Sequence, residues 1–201
     1  MSLDGIVVPK GWELVKISNI GDVITGSTPS TSNLEYYGND FPFYSPSDLN
    51  SNIEISRANK GLSHKGLEVA RKIPEDSILV QCIGDLGRTN IITKMGACNQ
   101  QINVIIPDKK MIIPKFAYYW FKSVLGNKEI TRINDSSVQG AVYKEPIKNC
   151  LVLYPPIPEQ RKIVAILSNL DDYINKNKEI VGMMRKNATK IEKNKDIYII
   201  I

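Results

Sequence analysis

The sequence predicts an α+β protein: a strand-rich globular lobe with a few helices over residues 1–157, then one long helix over residues 158–201 that pairs with a partner. Three observations predict it. Short β-branched runs separated by turn residues fill the first part of the chain and read as strands. The segment Pro155-Pro156-Ile157-Pro158 then places three prolines in four residues, which neither a helix interior nor a paired central strand accepts. Beyond it, Ile163, Leu167, Leu170, Ile174, Asn177, Val181, Met184, Ala188 and Ile191 recur with alternating gaps of four and three, a heptad seam about four repeats long.

In chain order, the runs Ile53-Glu54-Ile55, Ser77 to Ile83, Asn90-Ile91-Ile92-Thr93 and Ile102 to Ile106 have strand composition. The polar clusters Gly26 to Ser32 and Ser45 to Asn52 are surface loops, rich in residues that favour turns over ladders. A helix is predicted over Pro114 to Leu125, opened by proline and closed near Gly126, its aromatic stripe facing the core. Gly84-Asp85-Leu86-Gly87 lies between two β-branched runs and reads as a hairpin turn.

Pro158 fits the first helical turn, where its missing amide would have no partner anyway, and Glu159 follows where the helix dipole favours a negative charge. Only Gly182 interrupts the helical composition. It lies off the seam and costs about 1 kcal/mol of propensity relative to alanine. A helix over residues 159–196 would measure about 57 Å at about 1.5 Å per residue. A lobe of some 157 residues has a radius of gyration of only about 15 Å. A rod that long with one narrow apolar stripe calls for a second helix, and the polar Asn177 on the seam suits a register-setting role.

Composition narrows the class. The 42% hydrophobic fraction is enough for a real core, and no uncharged apolar run is long enough to cross a bilayer. The opening Met1-Ser2-Leu3-Asp4-Gly5 lacks the basic start and apolar centre of a signal peptide. Cys82, Cys98 and Cys150 are odd in number and widely spaced, which predicts small core residues in a reducing cytoplasm rather than a disulfide frame or a zinc site. A net charge of +5 is compatible with a polyanionic partner. The basic residues near the end, Arg185, Lys186, Lys190, Lys193 and Lys195, read as the solvated face of the long helix.

Several chemistries lack their residues. There is no glycine-rich G-x-G turn after a strand, no N-P-P-aromatic loop and no Walker A loop, so neither a methyltransferase nor an ATP-driven motor is predicted. The only histidine, His64, leaves no pair for a histidine metal site and has no triad motif beside it. Asp108-Lys109-Lys110 resembles the D-x-K tail of a metal nuclease but has no acidic partner nearby in sequence, and reads as a turn.

Taken in order, these segments resemble the specificity subunits of type I restriction-modification enzymes. The likeness runs through Gly11-Trp12-Glu13-Leu14-Val15-Lys16-Ile17 as an opening strand, Gly26-Ser27-Thr28-Pro29 as a G-x-T-P loop, and Phe41 to Leu49 as an aromatic-x-x-P-x-D-L segment. It continues through Ile78 to Gly87 as a strand with its hairpin, Ala97-Cys98-Asn99-Gln100-Gln101-Ile102 as an N-Q strand, and Pro155 to Val164 as the helix start. The resemblance implies that residues 1–157 form a target-recognition domain reading one half of a bipartite DNA site. It implies that residues 158–201 form a spacer that pairs antiparallel with a second helix and docks other subunits. Typical members carry two such units on one chain, so one unit implies a half-size subunit acting as a homodimer, or a truncated cassette that holds the methyltransferase without reading DNA. The expected partners are double-stranded DNA, a methyltransferase subunit and a restriction motor subunit. No catalytic residue, metal or cofactor is expected on this chain, with S-adenosylmethionine, ATP and Mg on the partner subunits. The ending Ile197 to Ile201 departs from the usual hydrophobic-basic close of the family's helix.

Within that reading, base choice falls to polar loop side chains and sequence-independent binding to cations on phosphates. The candidates for DNA contact are Ser27, Thr28, Ser47, Asn50, Lys60, His64, Lys65, Arg71, Lys72, Arg88 and Asn90, with Gln139, Tyr143 and Lys144 from the stretch before the last turn of the lobe.

Overall fold

The β-branched runs assemble into three sheets in a computed structural model that describes residues 7–50, 52–82, 87–132 and 144–198. The described strands are β1 (Glu13–Lys16), β2 (Gly21–Thr25), β3 (Tyr37–Tyr44), β4 (Glu54–Ile55), β5 (Lys60–Leu62), β6 (Ile78–Gln81), β7 (Thr89–Ile92), β8 (Ala97–Cys98), β9 (Ile102–Pro107) and β10 (Leu151–Tyr154). The helices are α1 (His64–Val69), α2 (Pro114–Lys122), α3 (Val124–Thr131), α4 (Lys144–Lys148) and α5 (Ile157–Tyr198). By its contacts the chain divides into two compact units, residues 1–161 and 162–201. The α+β class with a long final helix is as the sequence predicts.

The largest sheet has the order β2-β9-β6-β7-β4, antiparallel except for the β4–β7 pair. Its central strands are the runs most apolar in sequence. Every residue of β6 is buried, as are all but one of β9, and a strand covered on both faces needs no alternating polar residue. Ile55, Leu79, Ile92, Ile102 and Val104 from this sheet pack with Tyr44, Leu49, Ile73 and Cys98 into the main core.

A smaller sheet, β5-β3-β8, holds a second cluster of Phe43, Leu62, Leu67, Ala70 and Ala97. Here β5 crosses so close to β3 that a methyl group on Gly61 would run into the Gly38 and Phe41 carbonyl oxygens, so glycine is required by space rather than by dihedral angle. The third sheet joins the two ends of the lobe. In it β1 pairs antiparallel with β10, from Glu13 opposite Tyr154 to Lys16 opposite Leu151.

The single helix expected over Pro114 to Leu125 is two. Ser123 takes an extended ψ of 158°, ends α2, and caps α3 by accepting a 3.1 Å hydrogen bond from the Gly126 N–H. Gly126 therefore lies inside the next helix, where a side chain would strike the Trp120 carbonyl. As expected, the aromatic stripe of α2 faces the core: Phe116, Tyr118, Trp120 and Phe121 are buried, and the Trp120 indole donates to the Leu151 carbonyl at 3.1 Å.

The proline-rich junction is held by side chains. The Pro156 carbonyl receives the Glu159 and Gln160 N–H groups, opening α5. Gln160 is fully buried, and its amide accepts from the Ile113 N–H at 2.9 Å while donating to the carbonyls of Pro155 at 2.9 Å and Met111 at 3.3 Å. All the polar atoms of one side chain are thereby used to tie the helix start to the segment that precedes α2. In the second unit, α5 runs unbroken to Tyr198. Its seam residues Ile163 and Leu167 are half-buried, whereas Leu170, Ile174, Val181 and Met184 are exposed, at 54% for Leu170 and 65% for Met184. Asn177 and Ala188 are exposed too, and the Ile191 side chain lies outside the described residues.

Candidate nucleic-acid interface

The sequence-predicted contact residues fall into groups, each fastened by its own hydrogen bonds. The first is built on Gly26, whose N–H donates to the Ile102 carbonyl while Ser27 N–H donates to the Cys98 carbonyl. A side chain on Gly26 would collide with the Cys98 and Asn99 carbonyls, so the loop lies flat on the turn between β8 and β9. Thr28 is then exposed and donates to Gln100 Oε1 at 2.6 Å. Ser27 Oγ accepts from the Arg71 N–H at 2.8 Å, and the Arg71 guanidinium bonds the Thr25 carbonyl. Ser27, Thr28, Arg71 and the amide of Gln100 thus form one polar surface.

The second group is the loop after β3, which carries Ser47 and Asn50, both exposed. Its anchor is Asp48, a buried carboxylate that accepts from the Ser45 N–H at 2.8 Å, the Ser45 hydroxyl at 2.7 Å and the Asn59 N–H at 2.7 Å. Burial pushes the Tyr44 hydroxyl upward from its ordinary pKa, with the nearby Asp48 charge adding to the effect. Asn90 grips the other end of the loop. Its amide accepts from Asn50 N–H at 3.2 Å and donates to the carbonyls of Asn50 at 3.3 Å and Asn52 at 2.5 Å.

This corrects the expectation for Asn90, which is 0% exposed and has its amide turned onto backbone. It positions a candidate reading loop and cannot itself meet a ligand.

The third group follows β5. Lys60, His64 and Lys65 are exposed, with the His64 ring edge-on to Phe41 at a centroid distance of 5.0 Å. Lys65 pairs with Glu35 at 2.9 Å; the hydrogen bond from the lysine, helped by its charge, holds the Glu35 carboxyl below its ordinary range, and the same bond raises the lysine pKa. Lys72 and Arg88 are exposed; Gln139 and Tyr143 lie outside the described residues, as does the side chain of Lys144, whose backbone begins α4. Sequence reasoning missed Asp48 and Gln100 as organisers. The Ser45-x-x-Asp48 spacing, a variant of a capping box, was the available signal for the first. Nothing local signals the second.

Among the described residues no group of three or more His, Cys, Asp or Glu side chains is placed to hold a metal. The Asp108-Lys109-Lys110 segment is a turn in which Asp108 Oδ1 accepts from the Lys110 N–H at 2.9 Å and Lys109 pairs with Asp76 at 2.6 Å. No helix among the described residues is long and apolar enough to cross a membrane. The surface offers hydroxyls, amides and cations on short, braced loops, which is the donor and acceptor set that groove edges and phosphates require.

The type I restriction modification DNA specificity domain model matches residues 9–181. The chain belongs to that family. It is 33% identical over 192 residues to the type I restriction enzyme MjaIX specificity subunit of Methanocaldococcus jannaschii, covering 93% of this chain and 44% of that protein. It is 32% identical over 170 residues to the HindI specificity subunit of Haemophilus influenzae, covering 79% of this chain and 36% of that protein. The chain spans less than half the length of these curated relatives. A crystal structure of the HsdS subunit from Thermoanaerobacter tengcongensis shares the fold, with a TM-score of 0.67 at 20% identity over 86% of this chain and 40% of that one.

Proposed function

We propose that this chain supplies the DNA-reading half of a type I restriction-modification specificity subunit and performs no chemistry itself. The lobe of residues 1–157 reads one half of a bipartite target in double-stranded DNA. The helix of residues 158–201 pairs antiparallel with the same helix of a second copy and docks the methyltransferase and restriction motor subunits, which carry S-adenosylmethionine, ATP and Mg. The observation that carries the reading is the match of residues 9–181 to the DNA specificity domain.

Two features support it. The braced polar loops present side chains suited to base edges, and the apolar stripe of α5 stands exposed at Leu170, Ile174, Val181 and Met184. A single apolar stripe left in water is the usual mark of a helix that pairs. Two antiparallel helices of this kind would hold two lobes about one and a half turns of DNA apart, at roughly 34 Å per turn.

The test mixes the purified chain with its methyltransferase on duplexes carrying the bipartite site found by methylome sequencing, and on random duplex. Preferential binding of the site is expected. Capture of the methyltransferase with equal affinity for both duplexes would instead identify a scaffold that does not read DNA.

A further inference from the structure

Beside the loop anchored by Asp48 lies an open notch of about 200 Å³ between β3, β5 and the turn that follows β7. Three cationic residues line it, Arg57, Lys60 and Lys94, together with the polar residues Asn39, Ser56 and Asn59. Among the described residues that line it, none is acidic. Of the carboxylates nearest in sequence, the exposed Asp40 follows Asn39 on β3 without joining the lining, Glu54 pairs with Lys115 at 2.9 Å, and Asp48 spends its oxygens on three N–H and O–H donors. The sequence offers Lys60 as a DNA-contact candidate together with His64 and Lys65; Arg57 and Lys94 join it only through the fold.

The backbone explains the convergence. β5 is drawn against β3 at Gly61, which places Lys60 opposite Phe43, and the Thr93 N–H donates to the Ile55 carbonyl at 3.1 Å, which brings the turn bearing Lys94 next to the segment bearing Arg57. Three like charges facing one concavity repel one another, and an oxyanion seated among them removes that repulsion. A phosphodiester has the matching chemistry, one negative charge on two acceptor oxygens that both the cations and the neutral donors of Asn39, Asn59 and Ser56 can satisfy. The notch is also mechanically joined to the candidate reading loop, since Asp48 bonds Ser45 in that loop and the Asn59 N–H in the notch wall.

We propose that Arg57, Lys60 and Lys94 form a seat for one backbone phosphodiester of duplex DNA, which fixes the register at which the Ser45 to Asn52 loop meets the bases. The proposal rests on the DNA-reading function proposed above. A phosphate contact of this kind carries no sequence information and sets position only.

The test uses the full chain with its methyltransferase and compares it with the variant carrying R57A, K60A and K94A together. All three side chains lie on the surface, and a second variant, K60R with K94R, keeps the charge. The expected result for the alanine variant is an affinity loss of similar factor on target and random duplex, with the slope of log affinity against log salt shallower by about 1, the change that one lost phosphate contact gives. The arginine variant keeps the wild-type slope. In parallel, duplex DNA slows acetylation of Lys60 and Lys94, whereas inorganic phosphate at the same phosphate concentration does not. An unchanged salt slope, a loss confined to the target duplex, or equal protection by inorganic phosphate would overturn the seat while leaving DNA reading intact. A wild-type complex with no preference for its target over random duplex would overturn the reading beneath it as well.

Discussion

The indole N–H of Trp12 donates to the Glu159 carboxylate at 2.6 Å, joining residues 147 positions apart. One partner precedes β1 and the other lies in the first turn of α5, so a single bond ties the start of the lobe to the start of the long helix. The carboxylate also sits where the helix dipole favours negative charge. Trp12→Phe keeps an aromatic ring, though a smaller one, and removes the donor. Because the bond is exposed, the expected loss is about 0.5 to 1 kcal/mol, read as a lower urea midpoint at unchanged m-value.

Gln160 makes the stronger claim on stability. Replacing it with leucine leaves the Ile113 N–H and the Pro155 carbonyl without their partner inside the protein, while the Met111 carbonyl keeps the Tyr154 hydroxyl at 2.9 Å. A loss of about 2 to 4 kcal/mol follows from two orphaned buried groups. Urea unfolding of Gln160→Leu beside Trp12→Phe should rank the two clearly, and equal effects would mean that Gln160 is not the fastening of the junction.

Asn90 braces the Asn50 to Asn52 loop from beneath, so its removal acts on that loop before it acts on binding. Asn90→Leu is expected to destabilise by about 2 kcal/mol through unsatisfied backbone at Asn50 and Asn52. Amide hydrogen exchange should accelerate around residues 50–52 and remain slow in β6 and β9. Uniform acceleration across the sheet would contradict a local brace.

The three thiols are buried, and burial pushes them up from an ordinary value of 9.0 to about 11 for Cys82, about 12 for Cys98 and about 12 for Cys150. Cys82 is held lower than the others in part by the Asn103 amide, which donates to its sulfur at 2.8 Å. At pH 8 the folded protein should resist alkylation, and all three thiols should react once it is unfolded. The sign for stability follows from the raised values: the contribution is complete below about pH 9, where the unfolded thiol ionises, and is lost as pH rises toward 11 to 12. Denaturation midpoints between pH 8 and pH 10.5 test it.

Charged substitutions on the exposed stripe separate pairing from folding. Leu170→Lys with Val181→Lys alters solvent-facing positions and should leave the unfolding of the lobe unchanged. Under the proposed pairing, sedimentation should show the wild-type chain self-associating and the double variant as a monomer. A variant that still associates with wild-type affinity would remove the stripe from the interface.

Much of this fold is legible in the sequence where one residue type repeats. The runs that become β6, β7 and β9 are almost wholly apolar or β-branched, and α5 announces itself by its seven-residue period. β3 is not legible in that way. Its sequence Tyr37-Gly38-Asn39-Asp40-Phe41-Pro42-Phe43-Tyr44 carries four residues that strands disfavour, and pairing with β5 across an irregular register between Tyr37 and Phe41 overrides them. The break of the predicted aromatic helix at Ser123 is a capping event that composition alone does not reveal. For the site, exposed loop residues can be picked out by type, but the division between groups that face solvent and groups that hold the loop is set by tertiary contacts. Asn50 and Asn90 are the same amino acid with opposite placements, exposed on the loop and buried beneath it.

The pairing of β1 with β10 bears on how the protein is made. More than 130 residues separate Leu14 from its partner Leu153, so the lobe cannot close during synthesis until nearly all of it has left the ribosome. A nascent chain halted before residue 151 would expose an unmatched strand edge, a template for aggregation. Slowing translation after the proline-rich junction would therefore give the lobe time to close before the rest of the long helix emerges.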